Sequence, residues 1–329
     1  MPQTTTAPRK KTRLMTEGGI FKNLLLFAVP LILGNLLQQL YNTADSIIVG
    51  NFVGSNALAA VGSSGSPIFL LIGFSQGIAV GAGVVVSQFL GAKDREGAHT
   101  AVHTSLALSA ILGAILTVCG IAVSRALLTA MNTPAEVLKD AVLYMRLYFG
   151  GVLFSVVYNM AAGILNAAGN SKRSLLYLGV ASITNIVLDL VLIAGCKMGV
   201  AGAAIATVVS QVASALLTLR CIIGSEGMPW HVLLDKMRIE PGILGAICTI
   251  GIPAAAQSAM YNISNMFIQS SMNSFGTSTI AAWGVYGKID FLFWMTINSL
   301  GIAITTFAGQ NFGARQYDRV RRGVRVCLA

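Results

Sequence analysis

S-I-I-V-G-N-F-V-G-S-N-A-L-A-A-V-G-S-S-G-S-P-I-F-L-L-I-G-F-S-Q-G-I-A-V-G-A-G-V-V-V-S-Q-F-L-G-A, Ser46 to Ala92, runs for 47 residues without one Asp, Glu, Lys or Arg. A helix that crosses a bilayer needs about 20 apolar residues, so a run of this length has room for two. A second charge-free run covers residues 241–287, and shorter ones cover 97–124, 147–171, 198–219 and 291–314. Across all 329 residues, 55% are hydrophobic and only 10% are charged. A soluble domain carries about 25% charged residues to keep its surface wet. Lipid offers no partner to a backbone N–H or C=O, so the spans must be helices that bond internally. No segment shows the alternation of about ten residues that an outer-membrane strand requires. The 35 glycines suit helices that pack closely in lipid. The fold class is therefore an all-α polytopic membrane protein.

Apolar runs read against their punctuation predict eight spans, at 24–48, 57–90, 98–124, 138–163, 174–195, 199–221, 243–270 and 278–311. Residues 315–329 read as the approach to a ninth. The division expected is a basic tail over 1–23, a lobe of six helices over 24–223, a linker over 224–241 and the start of a second lobe over 242–329. With the N-terminus placed in the cytoplasm, 17 of the 22 Lys and Arg fall on the inner side. Arg125, Lys139 and Lys197 fall outside, and Arg146 and Lys288 lie within spans. This asymmetry satisfies the positive-inside rule and predicts a multi-pass protein of the inner (plasma) membrane. The net charge of +10 is thus a topology signal. Its scatter over five segments, with no aromatic platform, argues against nucleic acid. The basic N-terminus shows no cleavable leader. Cys119, Cys196, Cys221, Cys248 and Cys327 have no metal-like spacing and read as small apolar residues.

The chain repeats itself. N-F-V-G-S-N-A-L-A-A-V-G (Asn51 to Gly62) aligns with N-S-F-G-T-S-T-I-A-A-W-G (Asn273 to Gly284), 222 residues on. The same offset carries Q-F-L-G-A-K (Gln88 to Lys93) onto Q-N-F-G-A-R (Gln310 to Arg315). Tyr41, Asn42 and Pro30 meet Tyr261, Asn262 and Pro253 across a small gap. An even number of spans separates the copies, so both enter from the same side. That is a parallel repeat about an axis along the membrane normal. The second copy should run to about residue 445, so the chain reads as two thirds of a larger protein.

Asp45, Asp189 and Asp290 are the acids that fall well inside spans. A carboxylate at mid-membrane costs at least ~2.5 kcal/mol, which makes each a functional candidate. Gln38, Tyr41 and Asp45 share one face of the first helix, with Asn42 at its border and Pro30 earlier as the expected kink. Such a polar stripe is expected to face a cavity. Asn185 and Asp189 sit one turn apart, as do Thr207 and Gln211 in the sixth span. Oxygen ligands of this kind suit a hard cation such as Na+, and the same carboxylates can instead take a proton. For Asp290 a salt bridge to another helix competes evenly with function. The His99/His103 pair lacks an acidic neighbour at helical spacing and reads as structural. Met260, Met266, Met272 and Met295 read as packing before pocket lining. There is no GxxxxGK[ST], HExxH or GxSxG, so no catalytic residue is assigned, no cofactor is expected, and transport should draw on an ion gradient.

Six segments resemble the MATE (multidrug and toxic compound extrusion) family. They are V-P-L-I-L-G-N-L-L-Q-Q-L-Y-N-T-A-D (Val29 to Asp45), Q-F-L-G-A (Gln88 to Ala92), L-N-A-A-G-N (Leu165 to Asn170), N-I-V-L-D (Asn185 to Asp189), G-V-A-G-A-A-I-A-T (Gly199 to Thr207) and G-Q-N-F-G-A (Gly309 to Ala314). The match as a whole extends over essentially all of 20–329. The resemblance implies twelve helices in two lobes of six, about eight of them present here. It also implies export of small cationic amphiphilic compounds in exchange for H+ or Na+, by a monomer in the lipid bilayer. Carried over residue by residue, it makes Asp45 the first-helix acid and Asn185, Asp189 and Thr207 a cation site like that of the DinF-like branch. No metal beyond Na+ at that site is implied. NorM-like members often carry a Glu in the seventh helix where this chain has Gln257. Gln38, Tyr41, Asn42, Gln211, Gln257 and Asp290 remain the candidates for the substrate cavity. Two rivals stand beside the antiporter: a flippase of lipid-linked oligosaccharide, which should show more cavity cations than Arg146 and Lys288, and an integral membrane enzyme, for which no catalytic constellation is present.

Overall fold

A computed structural model describes residues 14–233, 237–273 and 277–328. Arg9, Lys10, Lys11, Arg13 and Lys236 lie outside these residues, as do the side chains of Met266, Lys288 and all of Asn273 to Gly284. The charge-free runs become long helices. They are α1 (Ile20–Phe52), α2 (Ser55–Gly91), α3 (Arg95–Ala130), α4 (Ala135–Gly150), α5 (Val152–Ala167), α6 (Ser171–Asp189), α7 (Gly199–Ile223), α8 (Pro241–Asn273) and α9 (Thr277–Gly313). Among the described residues, seven helices are long and apolar enough to cross a membrane, or eight with the bent pair α4–α5 counted as one span. The chain is thus a multi-pass membrane protein with the eight predicted spans in order.

Two spans depart from straight helices. The predicted span 138–163 is broken at Gly150–Gly151, where α4 and α5 meet at 49°. Gly151 packs against Val208 of α7, leaving no room for a side chain there. The span 174–195 changes character after Asp189. Leu190–Gly195 forms a π-helical turn, a form found mostly at functional sites. Residues 317–328 form a short helix, α10, with Arg319, Arg321, Arg322 and Arg325, packed against α9 and α1. It is too short and too charged to span a membrane.

The helix ends that bear most of the basic loop residues gather on one side, called the basic face below. The Q-x-x-G-A-[KR] repeat occupies the same place in both copies there, the C-terminal cap of a long helix. Ala92 N–H donates to the Gln88 carbonyl (2.9 Å), and Ala314 N–H donates to the Gln310 carbonyl (3.0 Å). Asp94 N–H then reaches Phe89, as Gln316 N–H reaches Asn311. Lys93 and Arg315 both adopt φ of 59°, the left-handed turn that ends each helix. At this motif the internal repeat is a repeat of backbone geometry.

Two buried clusters hold α2 to α7 together. One lies toward the basic face around Val86, Val102, Ile164, Leu165 and Ile222. The other lies toward the opposite face around Val49, Leu128, Met145 and Phe149. The segment after α7 folds back onto the first cluster through Trp230 and Val232. It is fastened to α3. His103 Nε2 lies 3.1 Å from Leu233 N, and His99 Nδ1 lies 3.0 Å from the His231 carbonyl. Glu240 N–H donates to Thr104 Oγ1 at 3.1 Å. The histidine pair therefore fixes the linker, and among the described residues no group of metal-ligating side chains forms.

Candidate functional site

α1, α4, α6 and α7 converge on a small polar interior. Asp45 of α1 is 8% exposed, Asn185 and Asp189 of α6 are 1% and 0% exposed, and Thr207 of α7 is 8% exposed. The polar residues sit there because each helix has one polar stripe and lipid cannot accept it. Asn185 and Asp189 are one turn apart, so both turn inward together. Asn185 Nδ2 lies 3.5 Å from Thr207 Oγ1, whose hydroxyl donates to the Ala203 carbonyl at 3.0 Å. The carboxyl groups of Asp45 and Asp189 lie within hydrogen-bonding reach of each other. The four residues singled out from the sequence are thus brought together from three helices.

The cluster is short of donors. Asp45 Oδ1, Asn185 Oδ1, Asp189 Oδ1 and Asp189 Oδ2 are all buried and none has a hydrogen-bond partner. A buried unsatisfied acceptor costs ~1–3 kcal/mol, and more when charged. Four on neighbouring side chains make a site complementary to positive charge. A shared proton supplies one donor between the two acids. A hard cation takes several oxygens at once.

The other candidates lie at varied distances from this core. Tyr41 is buried beside Asp45, with Gln38 as its side-chain hydrogen-bond partner. Gln38 is exposed, while Asn42 and Gln211 are half-buried. Gln257 is exposed on α8. Asp290 accepts a hydrogen bond from the Tyr286 hydroxyl at 3.2 Å on α9, one turn before Trp294, whose ring meets that of Tyr261 at a tilt of 58°, with centroids 4.7 Å apart. Pro30 is buried within an α1 that continues unbroken past it. Arg146 is exposed on α4. One residue escaped the sequence reading. Tyr144 of α4 is 6% exposed, neighbours both Asp45 and Asp189, and stacks on Tyr148 at 6.3 Å. Its only sequence signal is the i, i+4 tyrosine pair, which reads equally as packing.

A multi-pass bundle with a buried acidic cluster among its helices is the kind of site a membrane transporter needs. The MatE family profile matches residues 30–191 and 253–329, so the chain belongs to the MatE family of transporters. It is 32% identical over 324 residues to the probable multidrug resistance protein YoeA of Bacillus subtilis, covering 96% of this chain and 69% of that protein. Among solved structures it is similar to an outward-facing multidrug resistance MATE family transporter, with 28% identity and a TM-score of 0.89 over 97% of this chain and 70% of that one. It is also similar to a MOP superfamily transporter from Pyrococcus furiosus, whose binding pocket is described as having reverse polarity. There the identity is 28% and the TM-score 0.90, over 98% of this chain and 71% of that one.

Proposed function

We propose that the chain forms most of a multidrug efflux antiporter, which exports small cationic amphiphilic compounds in exchange for H+ or Na+ across the inner membrane. The observation that carries this reading is the set of four unpartnered buried oxygens on Asp45, Asn185 and Asp189. Oxygens so placed call for a proton or a cation, and Thr207 is close enough to add its hydroxyl to a cation's shell. Two acids in reach of each other make the empty, doubly charged state the costly one. A coupling ion lowers that cost, and so does a cationic substrate. The two ligands therefore favour the same site by the same physical term, and entry of one promotes release of the other. The relative and the solved structure named for multidrug resistance support the drug-efflux part of this reading. The basic face is taken as cytoplasmic, as the charge asymmetry of the loops requires.

The test is dye extrusion from energised cells or vesicles expressing the full-length transporter. The wild type should lower accumulation of a fluorescent lipophilic cation, and dissipating the H+ or Na+ gradient should remove the effect. Accumulation unaffected by expression, with a lipid-linked oligosaccharide moved instead, would establish the flippase.

A further inference from the structure

The motif that marks the internal repeat meets its own second copy in space. A Cβ placed on Gly91 of α2 would overlap the carbonyl of Gln310 on α9, and it would come within 2.6 Å of the Gln310 carbonyl carbon. A Cβ on Gly313 would overlap the carbonyl of Gln88 and come within 2.7 Å of its carbon. The contact is reciprocal. Each glycine is the fourth residue of Q-x-x-G-A-[KR], and each packs on the backbone of the first residue of the other copy. One turn earlier, Gly309 packs on the Ser87 side chain. Further along, Gly81 of α2 faces α8, where a Cβ would lie 2.5 Å from the Ile247 carbonyl oxygen and 2.7 Å from Gly251 N. Gly77 packs as closely on Ala255. These close approaches between α2 and the second lobe all lie between the midpoint of α2 and the basic face.

A side-chain pin holds the same seam. Gln310 is 0% exposed. Its Oε1 accepts the Met15 N–H at 2.6 Å, and its Nε2 donates to the Ala167 carbonyl at 2.7 Å. One amide thus ties the segment before α1, the end of α5 and the second lobe. Arg319 of α10 reinforces it by donating to the Gly18 carbonyl at 2.7 Å while stacking over the Phe307 ring at 5.5 Å.

We propose that the paired motifs are the gate that closes the transporter on its basic face, with Gly91 and Gly313 as the positioning residues that let the lobes seat and Gln310 as the latch. This rests on the antiport reading above, which requires the site to open alternately to either side of the membrane as the two lobes rock against each other. Backbone-to-backbone seating of this kind exists only while the gate is shut. A methyl group on either glycine therefore penalises the closed state and leaves the open one untouched, which shifts the population toward opening. Because the contact is reciprocal, the two glycines should behave alike although 222 residues separate their repeats.

The experiment uses the full-length transporter, with its native cysteines replaced and Ser87→Cys as a single reporter. Ser87 is 0% exposed and faces Gly309 in the seam. A membrane-impermeant maleimide is applied to inverted vesicles and the labelling rate is measured. Gly91→Ala and Gly313→Ala should each raise the rate roughly tenfold or more, as expected when a closed population is displaced. Gly301→Ala on α9 is the control, since a Cβ there meets nothing within 4 Å. Gln310→Ala adds no atom and should also raise the rate, which decides the matter should an alanine variant fail to fold. Parental rates in folded Gly91→Ala and Gly313→Ala, a parental rate in Gln310→Ala, or an equal rise in Gly301→Ala would overturn the gate. Labelling reads conformation without transport, so its failure is distinct from failure of the antiport reading.

Discussion

Two neighbouring carboxyl groups buried inside an apolar bundle cannot both be charged without a large cost, and this is the property the proposed mechanism uses. Asp45 and Asp189 differ in what surrounds them. Asp189 has both oxygens unpartnered, whereas Asp45 has one. Replacing Asp45 by Asn removes the coupling charge but keeps the shape. Dye extrusion by Asp45→Asn should fall to about a tenth of wild type or less, since the loss of only ~1.4 kcal/mol of differential binding is already tenfold. Membrane insertion should be unchanged, as judged by the amount of protein in the membrane fraction. Extrusion at the wild-type rate would remove Asp45 from coupling. Tyr144→Phe keeps the ring and loses only the hydroxyl beside the acids. It should retain expression and weaken ion response by a few-fold, checked by the same extrusion assay at several Na+ concentrations. The acids were legible in the sequence because charge within a charge-free run is conspicuous and costly. Tyr144 was not, because an aromatic residue in an apolar helix is ordinary packing until the rotation of that helix is known.

The helices themselves follow from the charge-free runs, and their boundaries follow from the loops where Lys, Arg, Asp and Asn return. What the runs do not carry is deviation from straightness. The break at Gly150–Gly151 and the π turn after Asp189 both lie against α7, a contact that a one-dimensional pattern does not contain. Close helix contacts make their own prediction. Gly120 of α3 lies against the Phe149 ring of α4, and a side chain added there would overlap it. Gly120→Leu should destabilise the bundle by ~1–3 kcal/mol, the usual penalty of overpacking, and lower the thermal unfolding midpoint in detergent by several degrees. Gly62→Ala meets open space and should leave the midpoint unchanged. Equal midpoints for the two variants would contradict the packing described for α3 and α4.

For the whole molecule, the repeat was legible as matched residues 222 positions apart, and it implied two lobes before any helix was placed. Its copies share a helix cap, which local sequence determines. That they also pack on one another was not legible, since it depends on how the lobes meet. Topology is checked from outside. Glu226 is exposed in the segment between the lobes. A single Glu226→Cys in a cysteine-free background should react with an impermeant maleimide only after the inner membrane is permeabilised. Reaction in intact spheroplasts would invert the orientation of the whole chain. The central claim, that one acidic cluster serves both the coupling ion and the response of the substrate site, is tested most directly by a binding titration. A fluorescent lipophilic cation is titrated against purified full-length transporter at several pH values and Na+ concentrations, in wild type and Asp189→Asn. The account predicts that lower pH or higher Na+ weakens binding in the wild type and that Asp189→Asn binds with little response to either ion. Binding indifferent to both ions in the wild type, or an unchanged response in Asp189→Asn, would contradict it.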